Sequence, residues 1–396
     1  MRQATAMGML VLATVVVAAA QPGVGQGAAA PVPLRAAVSA GGLIYVSGTL
    51  GTDENGRIVP GGIKAQTRAI LDKLSRSLAQ VRSGIDRAAS VTVYLKNVSD
   101  FAAMNEVYAT YWPKDPPART TVGANLVVPD ALVEISMVTV ADGSERRAIH
   151  PADWVKAASP YSYGIKSGDT LFLAGLVSRN GKDNSIVLGD IASQTATVLD
   201  NASAILAAAG MGLADVVSSR VYIGDTALFE GINVAYRRYF PKDPPARATV
   251  GAGLTDPHYL IEIALTAVKG AERRPITTPN ADGTPGQANP NLSSAIRVGS
   301  RLYLSGMLGN GPATRDDVKG QTGEALARIG RTLQASGFDW NHVVDSTVFL
   351  TDVSRFAGMN EPYRMPFGTL FPARATVGVG LVAPDALVEI MMTAVR

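Results

Sequence analysis

The segment PARTTVG at residues 117–123 recurs as PARATVG at residues 245–251 and again at 372–378. Its arginines, Arg119, Arg247 and Arg374, are 128 and 127 residues apart. Such a period is far longer than that of a solenoid repeat. We therefore predict that a whole domain is present in three tandem copies. Asn105, Asn233 and Asn360 keep the same period, and Gly48, Gly175 and Gly306 recur at nearly the same one, 127 and 131 residues apart.

Polar segments separate the predicted copies. We place them at residues 31–140, 159–268 and 291–396, after a leader at residues 1–30. The intervening residues 141–158 and 269–290 are rich in Gly, Pro, Asn and charged side chains, as exposed connectors are. Each copy is long enough to bury a hydrophobic core of its own.

Composition excludes several classes of protein and site. Hydrophobic residues make up 47% of the 396 residues and charged residues 17%, which is ordinary for a globular protein. The net charge is only +3 and no basic cluster stands out, which argues against nucleic-acid binding. The absence of cysteine excludes disulfides, thiolate nucleophiles and a lipoprotein anchor, and the three histidines are too scattered for a metal cage.

The N-terminus has the pattern of a cleavable signal peptide. Arg2 precedes an apolar run over residues 7–20, followed by small residues. The run is shorter than the roughly 20 residues that span a bilayer. We expect a secreted or periplasmic protein, with no membrane attachment after cleavage.

The second copy has a readable pattern of alternating strands and helices. The last two strands flank Asp256-Pro257, so we expect a terminal hairpin. Together these elements predict an α+β domain, with an antiparallel or mixed sheet and two helices on one face. The other face must also be covered, because its residues are not simply polar. In order, the predicted elements are a strand at 170–174, a helix at 191–208, a strand at 216–223, a helix at 226–239, and strands at 246–254 and 259–268.

The tract from Phe101 to Gly123, with the ending Val133-Glu134-Ile135, resembles the signature of the RidA (reactive intermediate deaminase, YjgF) family. The resemblance extends over nearly the whole of each copy. It implies chorismate-mutase-like domains that form homotrimers, with a central β-barrel, outer helices and ligand clefts between subunits. Three copies in one chain then predict an intramolecular pseudo-trimer that acts as a monomer.

The family's activity implies hydrolysis of amino-acid-derived enamines and imines to 2-keto acids and ammonia, without metal or organic cofactor. A guanidinium can bind a carboxylate through two parallel hydrogen bonds, and a glutamate in an apolar strand can shuttle a proton at neutral pH. Alternatively, the arginines pair with backbone carbonyls and the glutamates with backbone amides at the barrel seam. By resemblance, the carboxylate-binding arginines are Arg119, Arg247 and Arg374, and the water-holding glutamates are Glu134, Glu262 and Glu389.

Four further groups are candidate substrate-binding residues. Three of these groups also have a structural explanation. The asparagines can make helix-to-loop hydrogen bonds, the threonines favour strands, and the glycines permit tight packing. Tyr161 matches a family tyrosine, whereas the other copies have Leu34 and Leu292 at that place, so only the cleft containing Tyr161 is expected to be complete. The other candidates are Asn105, Asn233 and Asn360; Thr121, Thr249 and Thr376; and Gly48, Gly175 and Gly306.

Three functions remain open from the sequence. An exported imine deaminase is favoured by the arginine and glutamate present in each copy. A non-catalytic protein that binds small carboxylates is favoured by export and by the two missing tyrosines. A ribonuclease is disfavoured, because the chain lacks a basic stripe and an aromatic platform.

Overall fold

The computed structural model describes residues 31–270 and 272–396. The predicted signal peptide lies outside the described residues. Three α+β copies follow one another, as the repeats predict. No described helix combines the length and apolar character needed to cross a membrane. The first copy consists of β1 (Ala37–Ala40), β2 (Leu43–Leu50), α1 (Gly62–Gln80), β3 (Ala88–Leu95), α2 (Phe101–Tyr108), β4 (Ala118–Gly123), β5 (Asn125–Leu126) and β6 (Val133–Val140).

The second and third copies repeat this plan and add one strand before it. The second comprises β7 (Arg147–Ile149), β8 (Gly164–Ser167), β9 (Thr170–Leu173), β10 (Leu176–Val177), α3 (Ile191–Ala208), β11 (Val216–Ile223), α4 (Phe229–Tyr239), β12 (Ala246–Gly251) and β13 (Ile261–Val268). The third comprises β14 (Arg273–Ile276), β15 (Ala295–Val298), β16 (Arg301–Leu304), β17 (Met307–Leu308), α5 (Val318–Ala335), β18 (Val343–Leu350), α6 (Phe356–Arg364), β19 (Ala373–Gly378), β20 (Gly380–Leu381) and β21 (Val388–Val395).

The last two long strands of each copy are not a hairpin, so that expectation was wrong. In the first copy the strand order is β1-β2-β6-β3-β4, which places β3 between β4 and β6. β3 pairs parallel with β4 and antiparallel with β6. A parallel pair needs a crossover connection, which α2 supplies. In the second copy the segment around Asp256-Pro257 connects β12 to β13 across the end of β11, which lies between them. The equivalent segments of the other copies cross β3 and β18 in the same way.

The two helices of each copy cover one face of its sheet, as expected. In α3, the buried residues Val198, Ile205 and Leu206 pack in one cluster with Leu171 of β9 and other sheet residues. The Asp190 side chain accepts a hydrogen bond from the Ser193 amide and caps the helix N-terminus. Gly210 follows the helix with φ +72°, a conformation typical of a helix end.

The opposite faces of the three sheets pack on one another. Tyr94, Tyr222 and Phe349 occupy equivalent places in the three copies and belong to a single cluster. Each is at most 1% exposed. This packing supplies the cover that the sequence requires for the second face, and it makes the chain a pseudo-trimer.

Short strand pairs close the ring of copies. β5 of the first copy pairs with β19 of the third, β20 of the third pairs with β12 of the second, and Gly123 bridges Gly253. Each pairing involves one or two residues, so the described strands form three sheets and not one closed hydrogen-bonded barrel. Elsewhere, side-chain packing and single backbone hydrogen bonds, such as the one from the Gly175 amide to the Arg119 carbonyl at 3.0 Å, hold the sheets together.

The two predicted linkers are more ordered than exposed connectors. β7 lies within residues 141–158 and pairs with β8, and β14 lies within residues 269–290 and pairs with β15. The first strand of a copy is an edge whose backbone groups need partners. The preceding linker provides them, which sequence composition alone did not indicate.

Candidate active site between the copies

Each predicted arginine faces the glutamate of the next copy, not that of its own copy. Arg119 shares a cleft with Glu262, whose Oε1 accepts a hydrogen bond from the Thr121 amide at 3.2 Å. The same relationship recurs around the ring because the copies are arranged cyclically. The three pairs are Arg119 with Glu262, Arg247 with Glu389, and Arg374 with Glu134.

The predicted glycines make room for these glutamates. Glu262 lies on β13 opposite Val177 of β10, and a β-carbon on Gly175 would overlap its carboxylate. The carboxylates of Glu134 and Glu389 lie in the same way against the glycines of their own copies, Gly48 and Gly306. Close packing therefore explains these glycines, while Gly175 also lines the cleft that contains Arg119.

Burial changes the acidity of the glutamates. Glu262 is 4% exposed, and burial raises its pKa from 4.5 to about 8, against the smaller opposite effects of the Thr121 amide and Arg119. The pKa values of Glu134 and Glu389 rise to about 8 for the same reason. At neutral pH these side chains are mostly protonated. A carboxylic acid in this state can donate a proton to a ligand.

The asparagines hold two of the arginines. Asn105 Oδ1 accepts a hydrogen bond from Arg119 Nη1 at 2.7 Å, and Asn233 Oδ1 accepts one from Arg247 Nη2 at 2.6 Å. Asn360 differs, because its Oδ1 has no partner among the described residues. These contacts favour a positioning role over the helix-to-loop hydrogen bond that the sequence left open.

Aromatic rings complete each arginine site. The Arg119 guanidinium carbon lies 4.6 Å from the centre of the Tyr108 ring and 5.5 Å from that of Phe101. Such contacts stabilise a cation. We assigned these rings no role from the sequence, although their repetition at the period of the arginines was a usable signal. Their counterparts are Phe229 and Tyr236, and Phe356 and Tyr363.

The threonines present buried hydroxyls. Oγ1 of Thr121, Thr249 and Thr376 has no hydrogen-bond partner within the described residues. Buried polar atoms are normally satisfied. These hydroxyls are therefore available to a ligand or a water molecule in each cleft.

Tyr161 belongs to the cleft of Arg119 and Glu262, a pairing that the sequence could not decide. All three line a cavity of about 170 Å³. In the other clefts, Nε and Nη1 of Arg247 and of Arg374 are buried and have no partner in the described part of the chain. The three clefts thus share a backbone arrangement but differ in how far the guanidinium nitrogens are buried without a hydrogen-bond partner.

Comparison with known proteins identifies the family. The model of the endoribonuclease L-PSP family matches residues 26–141, 152–269 and 285–396. A RutC family protein of Sulfurisphaera tokodaii is 43% identical over 115 residues, which are 29% of this chain and 92% of that relative. A protein of Acinetobacter baylyi named 3-aminoacrylate deaminase RutC is 38% identical over 107 residues, or 27% of this chain and 85% of that relative.

A crystal structure extends the likeness beyond one copy. A chorismatase aligns with 78% of this chain and 94% of its own, with a TM-score of 0.53 and 15% sequence identity. At this identity the likeness is one of fold. The three family matches and the curated relatives show that this chain belongs to the endoribonuclease L-PSP family, which includes the RutC and RidA proteins, and carries three copies of the family's domain.

Proposed function

We propose that the cleft between the first and second copies hydrolyses imines and enamines of amino acids, releasing a 2-keto acid and ammonia. The observation that carries the proposal is that Arg119 and Glu262, from different copies, line one cavity. The Acinetobacter baylyi relative, named a 3-aminoacrylate deaminase, supports the same class of reaction. Tyr161 completes this cleft, where the other two have leucine.

Arg119 is the proposed site for the substrate carboxylate. Burial lowers the pKa of its guanidinium, and Tyr108, Tyr161 and Glu262 offset this only in part. Binding of an anionic ligand is favourable for a buried cation whose charge the protein does not fully balance. The fork of guanidinium N–H groups suits a carboxylate, and Asn105 holds the fork in place.

Glu262 is the proposed proton carrier. Its protonated carboxyl donates to the imine nitrogen, a water oxygen bonds to the imine carbon, and the C=N π electrons pass to nitrogen. The resulting carboxylate takes a proton from the added water, and a second transfer to nitrogen accompanies cleavage of the C–N bond. Ammonia leaves, and the hydroxyl proton passes to the Glu262 carboxylate as the carbonyl forms, which regenerates the acid. An enamine first gains a proton at its β-carbon to give the protonated form of the same imine. General acid–base assistance of this kind contributes about 10²- to 10⁴-fold in rate.

The test is ammonia release from imines generated in situ by an amino-acid oxidase. Wild type is compared with Arg119→Ala, Arg247→Ala and Arg374→Ala. We expect Arg119→Ala to lose about 10- to 100-fold in rate, the worth of charge-assisted hydrogen bonds. We expect the other two variants to stay near the wild-type rate. No acceleration by wild type above background would overturn the proposal.

A second function is favoured for the other two clefts. Their arginines are buried, with Nε and Nη1 unpartnered in the described structure, and Leu34 and Leu292 stand in place of Tyr161. We propose that they bind small carboxylates without turnover. Calorimetric binding of a 2-keto acid to Arg119→Ala, lost on further change of Arg247 and Arg374, tests this. The net charge of the chain is only +3, which does not support the ribonuclease alternative.

Export is also a proposal. The apolar run over residues 7–20 after Arg2 supports a cleavable signal peptide. We expect the mature N-terminus, determined by mass spectrometry of protein from the native host, to lie within residues 19–31. An intact Met1 in protein recovered from the cytoplasm would contradict it.

A further inference from the structure

The outer wall of the Arg119 cleft differs from the walls of its two counterparts. Arg179 stands four residues after Gly175, where the first and third copies have Thr52 and Asn310. Tyr259 stands three residues before Glu262, where those copies have Ala131 and Ala386. Arg179 and Tyr259 both line the cavity that contains Arg119 and Glu262. At these two positions the Arg119 cleft thus has a guanidinium and a phenol that its counterparts lack.

Neighbouring groups fix Arg179 in this wall. Its Nε donates to the Tyr259 hydroxyl and its Nη1 donates to the Asn184 carbonyl. The guanidinium carbon lies 5.7 Å from the centre of the Tyr259 ring. Nη2 has no hydrogen-bond partner among the described residues. The Tyr259 oxygen accepts from Arg179, so its own proton is free to be donated.

The charges around this cavity favour a ligand with two negative groups. Arg119 and Arg179 contribute two cations. The lining also holds Glu262, whose pKa burial raises to about 8, and Asp256, whose pKa is lowered by hydrogen bonds from His258 and to a lesser extent by the Arg179 charge. Asp256 Oδ1 accepts a hydrogen bond from the His258 amide at 2.9 Å and lies 2.8 Å from His258 Nδ1. Arg179 and Asp256 interact through their charges but form no ion pair, so a monocarboxylate held by Arg119 would leave the Arg179 guanidinium without a directly bound anion. A second carboxylate on the same ligand would satisfy it.

From these contacts we infer that the cleft is specific for imines and enamines of acidic amino acids, with the α-carboxylate on Arg119 and the second carboxylate on Arg179 and Tyr259. This inference rests on the proposed deaminase function and names its substrate class. Arg179 and Tyr259 are then residues that determine specificity. They take no part in bond making at the imine carbon.

The experiment compares two classes of imine. A dicarboxylic imine is made in situ from aspartate by an aspartate oxidase, and a monocarboxylic imine from alanine by an amino-acid oxidase. Arg179→Thr installs the residue of the first copy, Arg179→Lys keeps the charge, and Tyr259→Phe removes only the hydroxyl. We expect Arg179→Thr to lower kcat/KM for the dicarboxylic imine about 10- to 100-fold. The monocarboxylic imine should change less than about threefold, and Arg179→Lys should restore part of the preference.

Binding separates this inference from the proposed activity. Calorimetry with 2-oxoglutarate and 2-oxobutanoate measures the same preference without turnover. Tighter binding of 2-oxoglutarate that Arg179→Thr abolishes would support the inference even if no imine were hydrolysed. Deamination with equal losses for both imines in Arg179→Thr would assign Arg179 a purely structural role and overturn it. Equal wild-type affinity for the two keto acids would overturn it as well.

Discussion

Arg220 of the second copy and Asp345 of the third form an ion pair at the centre of the pseudo-trimer, with Nη2 3.5 Å from Oδ2. Both line a central cavity of about 50 Å³. The other copies have Thr92 and Thr347 at the position of Arg220, and Ser90 and Ser218 at that of Asp345. Identical subunits would bring three arginines and three aspartates together here. A single chain allows one complementary pair.

Removing one partner of this pair should destabilise the fold more than removing both. Asp345→Ser leaves the Arg220 charge uncompensated, and we expect it to lower the free energy of unfolding by about 1–3 kcal/mol. The double variant Arg220→Thr, Asp345→Ser carries the residues of the other copies and should recover most of that loss. Urea denaturation measures both. A loss in the double variant as large as that in Asp345→Ser would contradict this expectation.

The deaminase rate should fall as pH rises through about 8. Burial raises the pKa of Glu262 to about 8, so its donating form is full below that pH and is lost above it. We expect kcat/KM to drop about tenfold per pH unit on the alkaline side, as for a single essential acid. Steady-state kinetics from pH 6 to pH 10 measure this. A rate that rises through pH 8 would instead make the carboxylate a base. Glu262→Gln should lose the activity and the pH dependence together.

A methyl group at Gly175 should disable the cleft, whereas the same change in another cleft should not. A β-carbon there overlaps the Glu262 carboxylate, and one at Gly306 overlaps that of Glu389 in the same way. We expect Gly175→Ala to lower kcat/KM about 100-fold, since displacing a catalytic group by about 1 Å has effects of that size. Gly306→Ala is the matched control, with a similar loss of thermal stability and a near wild-type rate. Equal loss of rate in both variants would refute a single working cleft.

Stability should decrease as pH rises from about 5 to 8. The pKa of Glu389 is raised from 4.5 to about 8 in the folded chain, so folding favours the protonated form. Its stabilising contribution is complete below the unfolded pKa and is lost as pH approaches 8. We expect Glu389→Gln to reduce the downward slope of unfolding free energy by about 1 kcal/mol per pH unit. Denaturation at pH 5.5, 6.5 and 7.5 tests this. Parallel slopes for variant and wild type would contradict it.

Much of the fold was predictable because it is repeated and periodic. The helix at residues 191–208 and the strand at 216–223 were located correctly, since burial on one side imposes a regular hydrophobic pattern. The hairpin prediction was wrong because an earlier strand, β3 in the first copy, lies between the last two long strands. The spacing of hydrophobic residues predicts where strands are but not which strands are neighbours. The linker strand β7 was not predicted, because it pairs with an edge strand through backbone hydrogen bonds, and such pairing imposes little pattern on the side chains of a short polar segment.

The sequence by itself determined the three copies, their family, and the arginines, glutamates and glycines that recur in each copy. Those features are local patterns, and repetition amplifies them. Only the tertiary structure decided that Arg119 meets Glu262 and Tyr161 across a copy boundary, and that Arg179 and Tyr259 lie in the same wall. Residues brought together by cyclic packing of separate domains share no sequence spacing. Burial, which raises the pKa of each glutamate, likewise arises only when three sheets close on one another.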